Sequence, residues 1–453
     1  MQTIENINNV VNSFVWGPYM LVLLVGTGIY LTIRLNIFQI TRVVLWMKMT
    51  YGSLGSNKKS SHNVTPFQAV SVALASTIGI GSIAGVSTAL VAGGPGALFW
   101  MVLSAFFGMI TKFSEVTLSV YFRNKDEKGI HYGGPMYYME KGLKLKWLAM
   151  LFSIFAGIAT FGAGNMTQSN AIASLMQQTF KVPNIASGII VAFIVGLVII
   201  GGIKRITTVT EKLVPFMALL YFISGLIILI INSKNLPNAI NLVLNSAFSM
   251  ESIGGGISGY AIFIAMRYGV ARGVFSNEAG IGTAPIVHAT SDTNNPIEQG
   301  MWGIFEVFNV LIICIITGLV VLSSGIYGTT NVDGAALTSL AFKNSLGFTG
   351  EIILTISSVL FALSTMIGWA YYGEKCFGYL TNGNKIVISI YKLAFIVAIV
   401  LASVTNLKLV WAISDTFNGL MAIPNLIAIL LLSPIVITMT KKYLKDPKST
   451  EIE

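Results

Sequence analysis

Two stretches of the sequence decide the fold: residues 75–85 read ASTIGIGSIAG, and residues 273–285 read GVFSNEAGIGTAP. Each lies within a long apolar run and carries glycines and small polar residues where a lipid-facing helix would carry leucine or valine. The two share a core, because Gly-Ile-Gly-Ser at 79–82 is matched by Gly-Ile-Gly-Thr at 280–283. Unwinding a helix in mid-bilayer is tolerated only where the freed main-chain groups line a cavity or bind a ligand. The sequence therefore predicts two interrupted membrane helices around a cavity.

The composition indicates that most of the protein surface faces lipid. Of 453 residues, 54% are hydrophobic and 10% are charged, whereas a soluble domain carries about 25% charged residues. This predicts an all-α integral membrane protein with one transmembrane domain, residues 1–453, in the lipid bilayer. The net charge of +10 fits the excess of Lys and Arg in cytoplasmic loops. We therefore expect no nucleic-acid partner, and the sequence indicates no obligate protein partner.

The apolar runs set the number of spans and their direction. Eleven runs lie at about 16–33, 65–92, 97–121, 147–178, 184–203, 213–232, 255–287, 298–322, 350–372, 385–404 and 421–440. The stretch 407–420, which contains Asp415 and Asn418, is too short to span and predicts a short helix or re-entrant element before the last span. With the N-terminus outside, the basic residues of the loops concentrate on the cytoplasmic side. This distribution predicts an N-out, C-in orientation.

The two interrupted segments lie in the second and seventh runs, five spans apart. An odd number of spans inverts the second copy, as in transporters built from inverted repeats. We expect an extra N-terminal helix (16–33), repeat one (64–232) and repeat two (255–440). Half-helix N-termini would offer amides to an anionic group, and freed carbonyls would bind an ammonium group or a cation. The alternative interpretation is that the glycines serve close helix packing.

At these residues the sequence resembles the alanine or glycine–cation symporter family of prokaryotic membranes, in the amino acid–polyamine–organocation superfamily. The resemblance covers about residues 15–440 and includes the motifs GGPGA (93–97), TKFSEVTL (111–118), YGGPMYY (132–138), GNMTQSN (164–170) and GWAYYGE (368–374). It implies the leucine-transporter fold, with ten core helices in a 5+5 inverted repeat, here preceded by one extra helix. It also implies sodium-coupled uptake of alanine or glycine across the plasma membrane. One position departs from the family: Ser82 stands where Asn is common.

We expect the substrate at the two interrupted segments. The carboxylate would meet amides around Gly79 and Gly81, beside Thr77. The ammonium group would meet carbonyls and side chains of Phe275, Ser276 and Asn277. Gln168 would line the pathway, with Asn165 three residues earlier able to face the same side. The alternative is that these polar side chains hold helices together by hydrogen bonds. Trp369 could serve as a pocket or gate residue, or as an aromatic-belt anchor.

The resemblance implies a sodium site between the first core helix and the eighth. By position, its ligands would be the carbonyls of Ala75, Ile78 and Phe361 and the hydroxyls of Ser364 and Thr365. Na⁺ is thus the expected coupling ion. The alternative is that these hydroxyls bond only to carbonyls of their own helix.

Charged residues within spans are functional hypotheses by default. Lys112 and Glu115, three residues apart, could pair with each other. Arg267, Arg272 and Glu278 belong to the second broken helix, where an Arg–Glu gate is conceivable. Alternatively, Glu278 could cap the N-terminus of its half-helix. Glu306 has no partner nearby in the sequence and could bind a proton.

These patterns favour a secondary transporter that imports alanine or glycine with sodium by alternating access. The alternatives are a proton-coupled transporter or exchanger of another small neutral amino acid, or a channel, which would need a continuous pore. An enzyme is not indicated, because the sequence carries no Ser/His/Asp set, metal cluster or phosphate-binding loop.

Overall fold

The computed structural model describes residues 2–53, 64–127, 129–248, 258–405 and 408–452. The helices, in chain order, are α1 (Gln2–Val15), α2 (Pro18–Arg34), α3 (Phe38–Thr41), α4 (Val43–Thr50), α5 (Pro66–Thr77), α6 (Ala84–Gly93), α7 (Gly96–Tyr121), α8 (Pro135–Gly142), α9 (Lys146–Phe161), α10 (Thr167–Phe180), α11 (Asn184–Ile200), α12 (Gly202–Ile231), α13 (Leu236–Phe248), α14 (Ser258–Asn277), α15 (Ala284–His288), α16 (Pro296–Ser323), α17 (Gly334–Leu380), α18 (Lys385–Val404) and α19 (Lys408–Lys445). Two short antiparallel strands, β1 (Asn124–Lys125) and β2 (His131–Tyr132), follow α7. Loop residues 54–63 and residues 255–257, where the seventh predicted span begins, lie outside the described residues.

Within the described ranges, eight helical stretches are long and apolar enough to cross a membrane. They are Glu5–Arg34, Gly96–Tyr121, Lys146–Phe180, Gly202–Ile231, Pro296–Ser323, Gly334–Leu380, Lys385–Val404 and Leu409–Lys445. Helix α11 is apolar but shorter, with 17 residues, and the interrupted pairs α5–α6 and α14–α15 consist of short pieces. The expected all-α multi-pass architecture is confirmed.

Helix α19 corrects the expectation for residues 407–420. The helix runs without interruption from Lys408 to Lys445, with Pro424 and Pro434 inside it, so there is no separate element before the last span; residue 407 itself is not described. The polar residues that suggested a break are used inside the protein instead, since Asp415 pairs with an arginine of α14. Polarity within this segment therefore marks an interior face and not the end of a helix.

The first interrupted helix begins and breaks where local chemistry dictates. Thr65 and Gln68 form a capping box in front of α5, with Pro66 at the first helical position. The helix ends at Thr77, because Ile78 (φ −78°, ψ 71°) and Gly79 (φ −112°, ψ −164°) leave the helical region. A 3₁₀ turn, Ile80–Ser82, leads into α6. The predicted first break is confirmed.

The second break lies between α14 and α15. Glu278, Gly280 and Gly282 have left-handed φ values of 54°, 89° and 84°, which are costly for a residue with a side chain. The predicted second break is confirmed, but it starts only after Asn277. Phe275, Ser276 and Asn277, which belong to the second glycine-rich stretch, form the last turn of α14.

The interrupted helices are packed into the centre of the bundle. Helix α14 lies against α7 and α6, α15 lies against α5 and α7, and α5 lies against α17. The close approach of α14 to α7 depends on glycine, because a Cβ at Gly269 would lie 2.4 Å from the carbonyl oxygen of Ala97. Glycine also serves packing within the second stretch, because a Cβ at Gly273 would lie 2.8 Å from Ser104 Oγ of α7, whereas Gly280 and Gly282 lie in the break.

Candidate functional site

A small cavity of about 10 Å³, enough for about one water molecule, lies between the two breaks. It is lined by Ser76, Thr77, Gly79, Gly81, Ala163, Gln168, Phe275, Glu278, Ile281, Thr365, Trp369 and Asn418. Of the residues expected to bind substrate, Thr77, Gly79, Gly81, Gln168, Phe275 and Trp369 are therefore brought together. The segments that carry these residues come from five parts of the chain, so the cavity is a product of tertiary packing.

Gln168, at the start of α10, joins the first break to the turn that precedes α10. Its Oε1 accepts a hydrogen bond from the Ile80 main-chain N–H (3.3 Å), and its Nε2 donates to the Ala163 carbonyl (2.9 Å). Asn165 points elsewhere, since its Nδ2 donates to the Phe395 carbonyl of α18 (2.7 Å). The expectation that Asn165 and Gln168 face the same side is wrong. A π-helical turn, Gly162–Met166, widens the helix here and changes the direction in which Asn165 projects.

Trp369 and Glu278 meet at the edge of the cavity. The Trp369 indole Nε1 donates to Glu278 Oε1 (2.8 Å), and the Thr283 hydroxyl donates to Glu278 Oε2. Trp369 fits because Gly164 faces it: a Cβ there would lie 2.3 Å from the Trp369 Cβ. Trp369 is 3% exposed, so the aromatic-belt interpretation is wrong. Both hydrogen bonds to Glu278 come from side chains, so the expected capping of its half-helix is wrong as well.

Glu278 carries a buried carboxylate that has no basic partner among the described residues. It is 2% exposed, and among the described residues no Lys, Arg or His forms a salt bridge with it within 4.0 Å. The expected Arg–Glu gate is not formed among the described residues: neither Arg267 nor Arg272 pairs with Glu278, and Arg272 pairs with Asp415 instead. A buried carboxylate of this kind needs a cation or a proton to offset its desolvation.

Ser276 and Asn277 do not line the cavity, contrary to expectation. The Ser276 hydroxyl lies 2.8 Å from the Ser82 hydroxyl and 3.2 Å from Cys314 Sγ, which ties α14 to the first break. Asn277 Oδ1 accepts a hydrogen bond from the Ala279 N–H at 2.9 Å. These side chains are used in structural contacts because they project from a continuous helix and not from an unwound stretch.

A cluster of oxygen atoms lies beside the cavity, between α5 and α17. Ser364 Oγ is 3.0 Å from the Ala75 carbonyl oxygen and 2.8 Å from that of Phe361. Thr365 Oγ1 is 3.2 Å from the carbonyl oxygens of both Ala75 and Ser76. The Thr365 hydroxyl therefore faces the other helix and not its own, and Ser364 contacts both. Oxygen donors of this kind suit a hard cation.

Four of the five expected sodium ligands take part in this oxygen cluster. The fifth, Ile78, is buried directly after α5. Ser76 contributes a carbonyl that the sequence did not indicate. The substrate cavity and the oxygen cluster also touch, because a Cβ at Gly79 would lie 2.4 Å from Thr365 Oγ1.

A layer of side chains covers one side of the cavity. The Arg272 guanidinium forms a two-pronged ion pair with Asp415 (2.6 and 3.0 Å). It also lies 5.7 Å from the centre of the Phe275 ring, which in turn is 6.0 Å from that of Trp411. Arg272 and Trp411 line a second, larger cavity of about 490 Å³. The layer therefore stands between a small inner cavity and a wide outer one.

The other buried charges form a network behind the second break. Lys112 Nζ lies 3.2 Å from Glu306 Oε1, and His288 Nε2 lies 3.2 Å from Glu306 Oε2. Gln299 Nε2 is 2.8 Å from His288 Nδ1. The expected Lys112–Glu115 pair is wrong, although the two share a helix. Lys112 lies against α16, where Gly303 gives it room, and Glu115 binds the second break.

Several residues of the cavity were not expected as substrate ligands: Ser76, Ala163, Glu278, Ile281 and Asn418. Two signals could have indicated some of them. Glu278 and Ile281 lie within the second glycine-rich stretch, and Asn418 belongs to a polar patch in an apolar segment. Ala163 carries no chemical signal in the sequence.

Comparison with known proteins places this geometry in a family. A model of the sodium:alanine symporter family matches residues 1–453. The chain is 45% identical over 443 residues to a protein named sodium/alanine symporter AgcS from Methanococcus maripaludis, covering 96% of each chain. It is 44% identical over 450 residues to an uncharacterized transporter from Haemophilus influenzae, covering 98% of this chain and 97% of that one.

Among solved structures, the chain resembles a manganese transporter from Eremococcus coleocola. The TM-score is 0.51 at 12% sequence identity, over 84% of this chain and 82% of that one, which shows a shared fold. The suspected family resemblance is confirmed by the whole-chain matches. With sodium as its coupling ion, this multi-pass protein of the cell membrane belongs to the sodium:alanine symporter family.

Proposed function

We propose that the protein imports alanine, and also glycine, together with sodium, by alternating access. The observation that carries the proposal is the small cavity between two helix breaks, with an unpaired carboxylate on its wall and a cluster of oxygen atoms beside it. A zwitterion and a cation need these complementary groups side by side.

In this proposal the substrate binds across the two breaks. Its ammonium group meets the Glu278 carboxylate and the carbonyls at the end of α14, from Phe275 onwards, because the last carbonyls of a helix have no partner within it. Its carboxylate meets main-chain amides around Gly79 and Gly81, beside Thr77. The rings of Phe275 and Trp369 bound the space for the substrate side chain, which favours hydrogen or methyl.

Sodium binds at the oxygen cluster, with Ala75, Phe361, Ser364 and Thr365 as ligands. The carbonyl of Ile78, directly after α5, is the fifth proposed ligand. The first break contributes to both sites, with Gly79 against Thr365. Binding of sodium at the cluster would therefore fix the segment that presents its amides to the substrate. Such a shared segment gives a coupling free energy that acts equally in both directions.

The topology proposed for this mechanism has eleven spans in an N-out, C-in orientation. The eight long helical stretches are completed by α11 and by the two interrupted pairs. Residues 16–33 form an extra helix, and residues 64–232 and 255–440 form the inverted repeats. In this orientation the layer of Arg272, Asp415, Phe275 and Trp411 lies on the outer side of the cavity. Its opening and closing would be the outer half of alternating access.

Uptake by purified protein in liposomes tests the proposal. We expect labelled alanine to accumulate only under an inward sodium gradient, and unlabelled glycine to compete. Glu278→Gln, which keeps the shape but removes the charge, should abolish accumulation. Equal uptake with potassium on both sides and a pH gradient would refute sodium coupling. Absence of concentrative alanine uptake under a sodium gradient would refute the function itself.

A further inference from the structure

A buried hydrogen-bond network holds the second break on a side that does not line the cavity. Glu115 Oε1, from α7, accepts hydrogen bonds from the Gly282 main-chain N–H (3.1 Å) and from Asn425 Nδ2 (2.5 Å). Asn425, from α19, also donates to the Gly280 carbonyl (2.9 Å). The Tyr138 hydroxyl of α8 donates to Asn425 Oδ1. Glu115, Asn425 and Tyr138 are all fully buried.

The Asn425 amide has its full set of partners. Both hydrogens of its NH₂ group are donated, one to Glu115 and one to Gly280, and its oxygen accepts from Tyr138. A reversed amide would set its oxygen against a carboxylate and a carbonyl, so the orientation of this side chain is fixed. Three helices are thereby joined to one unwound segment.

The segment needs this external support. Glu278, Gly280 and Gly282 all have positive φ, and α15 beyond them has only five residues. Glycine adopts positive φ at little cost, but Glu278 carries a side chain, and its left-handed conformation persists only when the surrounding structure determines it. Two residues of the same segment, Glu278 and Ile281, line the cavity. The network on one side of the break therefore sets the position of groups on the other side.

We propose that Glu115 and Asn425 are positioning residues for the transport reaction: without touching substrate, they set its affinity by fixing the second break. The proposal rests on the proposed function, since it takes alanine as the ligand of the cavity. Only one carboxylate oxygen of Glu115 is used in the network, because Oε2 has no hydrogen-bond partner among the described residues. A neutral side chain with one acceptor at the same place can therefore do much of what Glu115 does.

The test compares variants by hydrogen exchange and by transport. Glu115→Ala removes the acceptor, and Asn425→Asp sets two acceptors against each other at the same size. For both we expect faster amide exchange in peptides that cover residues 278–288. We also expect a KM for alanine at least about tenfold higher, with Vmax changed less, because each variant loses at least one hydrogen bond to the Glu115 carboxylate. Glu115→Gln should recover both readouts to within about threefold of the wild type.

Ser114→Ala is the matched control, because Ser114 is buried on the same helix and its hydroxyl bonds to the Ile110 carbonyl of that helix. It should exchange and transport as the wild type does. The proposal would be overturned if amide exchange of residues 278–288 in Glu115→Ala were as slow as in the wild type. It would also be overturned if Glu115→Gln raised the alanine KM as much as Glu115→Ala does. If Glu115→Ala cannot be purified, Asn425→Asp takes its place as the variant that disrupts the network and is compared with Glu115→Gln, which preserves it. If the wild type takes up no alanine, the proposed function fails, while exchange still shows whether the network holds the break.

Discussion

Replacing Thr365 by valine isolates the contribution of one oxygen to sodium binding. Valine keeps the shape of the side chain and removes the hydroxyl, whose oxygen lies 3.2 Å from the carbonyl oxygens of Ala75 and Ser76. Serine at the same position keeps the hydroxyl and removes the methyl group. A polar contact to a charged partner contributes about 1.5–3 kcal/mol, which corresponds to a change of about 10- to 100-fold in sodium affinity.

The assay is alanine uptake by liposomes at increasing sodium concentration. For Thr365→Val we expect the sodium concentration at half-maximal rate to rise by about tenfold or more. The alanine KM at saturating sodium should stay within about threefold of the wild type, because the neighbouring Ser364 and the carbonyls still form the ion site. Thr365→Ser should behave as the wild type. If valine leaves the sodium dependence unchanged, or if serine impairs it as strongly as valine, Thr365 does not bind the ion.

Three other substitutions test separate parts of the structure. Glu306→Gln removes the counter-charge of a buried lysine, which should lower stability by about 3–5 kcal/mol and lower the melting temperature in detergent; an unchanged melting temperature would contradict this. Gly81→Ala would place a Cβ 2.8 Å from Phe275 Cδ1; uptake kinetics should show a raised alanine KM that Phe275→Leu partly restores. Asp415→Asn weakens the ion pair with the arginine of α14 and so loosens the layer over the cavity. A cysteine placed in the cavity wall by Asn418→Cys should then react faster with a water-soluble thiol reagent than the same cysteine does beside Asp415.

The two helix breaks could be predicted from the sequence because their signal is local. Glycines and small polar residues within an apolar run, at 79–82 and 280–283, are unfavourable for a lipid-facing helix and need a reason to be there. The cluster of Ala75, Phe361, Ser364 and Thr365 followed from the family resemblance and lies together in the structure.

What the sequence could not indicate is which helix each side chain faces. Spacing along one helix suggested that Lys112 pairs with Glu115, whereas Lys112 pairs with Glu306, 194 residues away. Arg272 likewise pairs with Asp415, 143 residues away. Side-chain periodicity defines the faces of a helix but not the neighbours of each face.

Local irregularity also escaped prediction. The π-helical turn Gly162–Met166 turns Asn165 away from Gln168, and it has no distinct pattern in the sequence. The end of α14 is a related case, since the helix continues through Asn277 and carries Ser276 with it. In both places a shift of one to three residues decides whether a polar side chain lines the cavity.

The central claim is that the first helix break contributes to both the alanine site and the sodium site. Its most direct test is the linkage between alanine binding and sodium binding, measured by calorimetry on purified protein. Alanine should bind about tenfold or more tightly in sodium than in potassium, and alanine should raise sodium affinity by the same factor. Equal alanine affinity in the two salts would contradict the account.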